Sequence, residues 1–112
     1  MKYTVSLKKN YDFRTVYRKG KSLANRHLVM YKYPNKLDIN RLGISVSKKV
    51  GNSVVRSRVT RLIRESYRLQ EENIDKVGWD FVVIARTTAK GTSYDEISNS
   101  LTNLLKQHKV YI

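Results

Sequence analysis

A chain of 112 residues with no cysteine, and with 23 Lys and Arg against 9 Asp and Glu, has room for one domain with a modest core. It excludes disulfides, thiolate nucleophiles and cysteine-built zinc sites. The formal net charge of +14 excludes a protein indifferent to polyanions. No apolar run approaches the roughly 20 residues that cross a bilayer. Met1 to Ser6 lack the apolar core of a signal peptide, so the chain is expected in the cytoplasm with no membrane partner. At 40% hydrophobic residues and one proline it reads as globular, and nothing between residues 1 and 112 marks a domain boundary.

Taken in chain order, Asn10 has the character of an N-cap, with Asp12 in the first turn where the helix dipole favours an anion. Phe13, Val16 and Tyr17 follow at helical spacing and Gly20 supplies a stop, which predicts a short helix over about 11–19. Arg26 to Tyr33 suits a strand, with His27, Val29, Tyr31 and Tyr33 on one face and Leu28, Met30 and Lys32 on the other. Pro34 and Asn35 open a turn. From Arg41 to Ser47 the pattern alternates, Leu42, Ile44 and Val46 inward against Gly43, Ser45 and Ser47 outward. Small outward residues leave a sheet face that another element can approach closely.

A basic loop, Lys48 to Asn52, leads into the strongest helical pattern. Val55, Val59, Leu62 and Ser66 fall along one side, flanked by Ile63 and Leu69, while Arg61, Arg64 and Arg68 lie opposite with Arg56 and Arg58 to either side. Trp79 to Arg86 is apolar on both faces and predicts a central strand. Ser93 and Glu96 form a capping box that opens a last helix, buried along Tyr94, Ile97, Leu101, Leu104 and Leu105. The expected fold is α+β, a two-layer sandwich of one mixed sheet of three to four strands and three helices in the order αβββαβα, as a single domain over 1–112.

Charge divides the chain. Residues 1–70 hold 18 basic and 3 acidic side chains, whereas 71–112 hold 5 and 6. The basic residues are woven through periodic segments, so the excess sits on folded surface. No catalytic constellation accompanies it. The acids are scattered apart from Glu71, Glu72 and Asp75, His27 and His108 have nothing to pair them as acid and base, and phosphate-cradling glycine loops are absent. No catalytic or metal-binding residue and no small-molecule substrate are therefore expected.

Arginines along one stripe repel one another by a few tenths of a kcal/mol per pair. Glu65, four residues from Arg61, is the one close neutraliser. Charged helix faces ordinarily mix signs, and the planar guanidinium grips two phosphate oxygens at once, so Arg56, Arg58, Arg61, Arg64 and Arg68 point to nucleic acid. Free N–H groups where Asn52 and Ser53 start the helix, beside Lys48 and Lys49, offer a second phosphate dock. Phe13, Tyr17 and Tyr31 fit plain core positions, yet eight Tyr against two Phe is a bias toward rings with a wet edge, and a strand carrying Tyr31 and Tyr33 beside a cationic helix suits stacking of single-stranded bases.

On these residues the sequence resembles the bacterial ribonuclease P protein family. The similarity takes in Leu7-Lys8-Lys9-Asn10-x-Asp12-Phe13, then Tyr17-x-x-Gly20-x-Ser22-x-x-Asn25-Arg26. It continues through Arg41-Leu42-Gly43-Ile44-Ser45-Val46-Ser47-Lys48-Lys49-Val50-Gly51-Asn52-Ser53-Val54-Val55-Arg56, the arginine helix and Ile84-Ala85-Arg86. The resemblance implies a partner RNA that, with Mg²⁺, cuts the 5′ leader from precursor tRNA. By position, Arg56, Arg58, Arg61, Arg64 and Arg68 would face that ribonuclease P RNA. Phe13, Tyr17 and Tyr31 would line a cleft for the precursor tRNA leader, with Lys48, Lys49 and Arg86 near its rim. It also implies a left-handed βαβ crossover, against the usual hand. Ser57 and Thr60 stand where the family helix typically has Asn and Lys, and Thr87 where many relatives have a second basic residue. The competing expectation is a ribosome-associated protein that holds ribosomal RNA with the same helix.

Overall fold

The run Phe81 to Ala85 is apolar on both sides because both sides are covered. In the computed structural model, which describes residues 1–76 and 78–112, it lies in the middle strand of a five-stranded sheet. The elements are β1 (Thr4–Ser6), α1 (Asn10–Lys19), β2 (Lys21–Ala24), β3 (Leu28–Pro34), β4 (Asn40–Ser45), α2 (Ser53–Leu69), β5 (Trp79–Ala85) and α3 (Tyr94–Gln107), with short 3₁₀ turns at Glu71–Asn73 and Thr87–Ala89. The strand order is β1-β4-β5-β3-β2. β4 lies parallel to both β1 and β5, and the other pairings are antiparallel. Adjacent parallel strands β4 and β5 are joined through α2, which is the βαβ crossover.

The sheet separates two cores. Leu28, Met30, Phe81 and Val83 pack against Val59, Ile63 and Tyr67 of α2 and against Ile97, Leu101, Leu104 and Leu105 of α3. On the opposite face Val82, Leu7 and Val16 of α1 form a smaller cluster with Phe13, Tyr31, Tyr33 and Ile84. The α+β class and the three helices are as the sequence implies. The sheet has one strand more than the expected upper count, and α1 covers the face away from α2 and α3. The two strands that the sequence pattern does not place, β1 and β2, are short edges. β1 buries only Thr4, and β2 is exposed except at Leu23, so neither shows the alternation by which a strand is recognised.

Three local expectations are corrected. Lys9, not Asn10, occupies the N-cap of α1 and gives no side-chain cap; Asn10 is already helical. Gly20 ends α1 in extended backbone rather than in the left-handed region, and its N–H donates to the Val16 carbonyl. A Cβ there would sit 2.5 Å from that same oxygen, so the glycine serves close approach. In α2, Tyr67 takes the buried place expected for Leu69, which is 61% exposed. The Val59, Ile63, Ser66 and Tyr67 stripe is rotated about one position from the predicted face.

The Ser93–Glu96 capping box is present in full. At the other end of α3, His108 is 1% exposed, and its Nε2 donates to the Met30 carbonyl at 2.8 Å while Nδ1 has no partner. Burial, with Lys32 and Lys21 nearby, holds its pKa below the ordinary 6.5. The unfolded chain therefore takes up a proton that the native state refuses, and His108's contribution to stability is lost as pH falls from about 6.5 toward the depressed native value. Urea unfolding at pH 7.5 and 5.5 should show the wild type losing more stability than His108→Asn over that interval; equal losses would mean His108 is not the group involved.

Candidate nucleic-acid interface

Two surfaces emerge, one on each side of the sheet. The first is the solvent face of α2. Asn52 caps this helix by accepting from the Val55 N–H at 3.0 Å, so the dock expected at its start keeps fewer free donors than the sequence suggested. Lys48 and Lys49 are exposed in the turn just before it.

The five arginines do not form one uniform row. Arg61 and Arg64 are exposed, and among the described residues neither has an acidic partner within ion-pair distance. Arg68 is gripped by Glu65 through two guanidinium nitrogens; it is held above its ordinary pKa by that bond, and the Glu65 carboxyl is held below the ordinary carboxylate range. Glu65 thus neutralises Arg68 one turn on, not Arg61 one turn back. Arg58 donates to the Thr92 carbonyl at 2.7 Å and ties α2 to the turn before α3. Arg56 is half-buried with its Nε unpartnered. It borders an open groove of about 570 Å³ shared with Ser53, Ser57, Thr60, Arg61 and Arg64. The free cationic edge is therefore Arg61 and Arg64, with Arg56 beside them.

The second surface lies under α1. Phe13 and Tyr17 stand 6.3 Å apart, centroid to centroid, and Tyr17 meets Tyr31 of β3 edge-on at 5.1 Å. Tyr17 keeps 38% of its surface exposed and lines an open groove of about 460 Å³ with Phe13, Arg14, Ile44 and Ser45. Partial burial raises its phenol pKa, opposed by a hydrogen bond with Ser45 and reinforced by Tyr31. The rings are half core and half surface, the arrangement on which bases stack. Gly43 makes the closeness possible, since a Cβ there would lie 2.6 Å from the Phe13 ring.

The carboxyl ends of parallel β4 and β5 bring the rim residues to one end of the sheet, Lys48 and Lys49 after the first and Arg86 after the second. Arg86 is exposed, and its guanidinium donates to the Asn25 carbonyl at 2.9 Å. The sequence reading missed what fastens α1 above this cleft. Arg41 on β4 donates to both oxygens of buried Asp80, at 2.8 and 2.7 Å, and reaches Asp12 of α1 at 3.4 Å. Asn35 adds a bond to Asp80 at 3.0 Å. A lone acid inside an otherwise apolar strand was the available signal, because a buried carboxylate needs a partner.

A small α+β domain that bears free arginines on one helix and open aromatic rings beneath another is built as an RNA-binding protein. The family model described as Ribonuclease P matches residues 1–109. The ribonuclease P protein component of Lachnoclostridium phytofermentans is 59% identical over 105 residues, covering 94% of this chain and 90% of its own. That of Clostridium acetobutylicum is 60% identical over 103 residues, covering 90% and 86%. Among solved structures, the Staphylococcus aureus RNase P protein superposes with a TM-score of 0.88 at 46% identity, covering 96% of this chain and 97% of that one. The Thermotoga maritima protein gives 0.83 at 34% identity, covering 91% and 96%.

The chain belongs to the ribonuclease P protein family. It is the RNA-binding protein subunit of the endoribonuclease that processes precursor tRNA, and the reading as a ribosome-associated protein falls away.

The Gly43 contact can be tested without RNA. Gly43→Val should destabilise the fold by about 1–3 kcal/mol through overpacking against Phe13, read as a lower urea midpoint with an unchanged slope. An unchanged midpoint would mean that α1 does not sit as close as described.

Proposed function

We propose that the two surfaces divide the work, the α2 face holding the RNA subunit of ribonuclease P and the aromatic cleft holding the single-stranded 5′ leader of precursor tRNA. The observation that carries this is the separation itself. The groove of free Arg61 and the groove of the open Tyr17 ring are separate and belong to elements on opposite faces of the sheet, and each suits a different RNA. A guanidinium grips phosphate whatever the base, while rings stack bases that have no pairing partner. Arg56 and Arg58 support the first surface; Lys48, Lys49 and Arg86 supply phosphate contacts at the rim of the second. Arg68, already paired with Glu65, contributes less than its position on the helical face suggests.

Bond cleavage in this reading belongs to the RNA subunit with Mg²⁺, in the cytoplasm. Among the described residues no three or more His, Asp or Glu gather as a metal site, and Asp12 and Asp80 are both engaged by Arg41. These residues do not fit a magnesium centre.

The test is a double dissociation. Arg64→Ala should weaken binding to the RNA subunit about tenfold, the size of one charge-assisted contact, and reduce the log–log salt slope by about one. Arg68→Ala should do markedly less. Tyr17→Ala should leave RNA-subunit binding intact and diminish about tenfold the affinity gained when the leader is lengthened from one to eight nucleotides, the size of one stacked base. Equal effects of Arg64→Ala and Tyr17→Ala on both readouts would contradict the division.

A further inference from the structure

Between the two surfaces lies a third groove, which shares Phe13 with the cleft and Arg64 with the α2 face. β1 stops at Ser6, paired with Leu42, whereas β4 runs on to Ser45. The Asn40 N–H donates to the Tyr3 carbonyl at 3.0 Å, and the Leu42 carbonyl accepts from the Leu7 N–H at 2.9 Å. The even-numbered peptide groups of β4 therefore face β1, and the alternation of a parallel ladder turns the N–H and C=O of Ile44 the same way, past the point where β1 has ended. The gap is a groove of about 530 Å³ with Leu7, Phe13 and Ile44 on its apolar side and Arg64, Glu65 and Arg68 on its polar side. That volume is within the range of small-ligand sites, about 300–1,000 Å³.

We infer that this groove binds one unpaired nucleotide of the RNA subunit, an inference that rests on the assignment of α2 to that RNA. The chemistry of the walls specifies the class. The apolar side offers stacking area at Phe13, the Ile44 peptide supplies one donor and one acceptor for a base edge, and Arg64 is free to hold the attached phosphate. Glu65 is unavailable to repel that phosphate at full strength because Arg68 neutralises it.

Continuity selects the source. Arg64 lines both this groove and the arginine groove of α2, so an RNA lying along α2 reaches the gap without leaving the cationic surface. A peptide strand laid on the open edge of β4 would find only a short ladder and would bury Arg64 without a phosphate.

Ser6 is exposed and lines the groove, which makes Ser6→Trp a plug that removes no charge. In reconstituted holoenzyme, Ser6→Trp should lower affinity for the RNA subunit about tenfold and leave the gain from lengthening the leader unchanged. Base-specific chemical probing of the RNA subunit should show one unpaired base protected by wild type and released by the plug. Val5→Trp, at the exposed rim, repeats the test if circular dichroism shows Ser6→Trp unfolded.

Wild-type affinity and an unchanged footprint in a folded plug variant would overturn the inference. So would loss of the leader gain with RNA-subunit affinity intact, which would make the occupant a leader nucleotide. If Arg64→Ala weakens RNA-subunit binding and the plugs do not, only the groove assignment fails; if none of the three does, the assignment of α2 fails with it.

Discussion

How close α1 can lie to the sheet determines most of what this molecule presents to RNA. Phe13 rests against the bare Cα of Gly43, and the Arg41–Asp80 ion pair, reaching on to Asp12, fixes the start of the helix over the same strand. Asp80 is 3% exposed, so removal of Arg41 would leave an uncompensated buried charge, a loss far larger than that of a surface ion pair. A helix held this tightly at its amino end leaves Tyr17, a turn further on, tilted open against Tyr31. The cleft is a by-product of packing at one end of α1 and of exposure at the other.

The charge distribution follows a related logic. Residues 71–112 carry a slight acidic excess while residues 1–70 carry 18 of the 23 basic side chains. Half of the six acids in 71–112 are spent on the fold itself. Glu71 accepts from the backbone N–H groups of Lys2 and Tyr3, Asp80 holds Arg41, and the Glu96 carboxylate accepts from the Ser93 backbone N–H in the capping box of α3. These carboxylates anchor the N-terminal strand, the sheet and the last helix, so few remain to offset the arginines of α2. Those arginines repel one another until a polyanion arrives, and a surface kept unneutralised in this way gains on-rate and affinity from phosphate together.

Much of this was legible in the residues. The two-sided apolarity of Phe81 to Ala85 placed β5 at the centre, small outward residues on β4 anticipated a close neighbour, and the Ser93–Glu96 spacing located the start of α3. β1 and β2 were not legible, because three- and four-residue edge strands with exposed side chains carry no periodic signal. The arginine stripe was visible as a stripe, but its sorting into free, paired and structural members depends on where Glu65, Thr92 and the end of β4 fall in space. The Arg41–Asp80 pair joins positions far apart in sequence and comes together only when β4 and β5 lie parallel. The open peptide of Ile44 has no side-chain signature at all; it exists because β1 is shorter than its partner.

The most direct test of the central claim is site-specific photocrosslinking from position 31 and from position 61 in holoenzyme bound to precursor tRNA. The account predicts that a probe at Tyr31 labels the 5′ leader and a probe at Arg61 labels the RNA subunit. Both probes labelling the same RNA would contradict it.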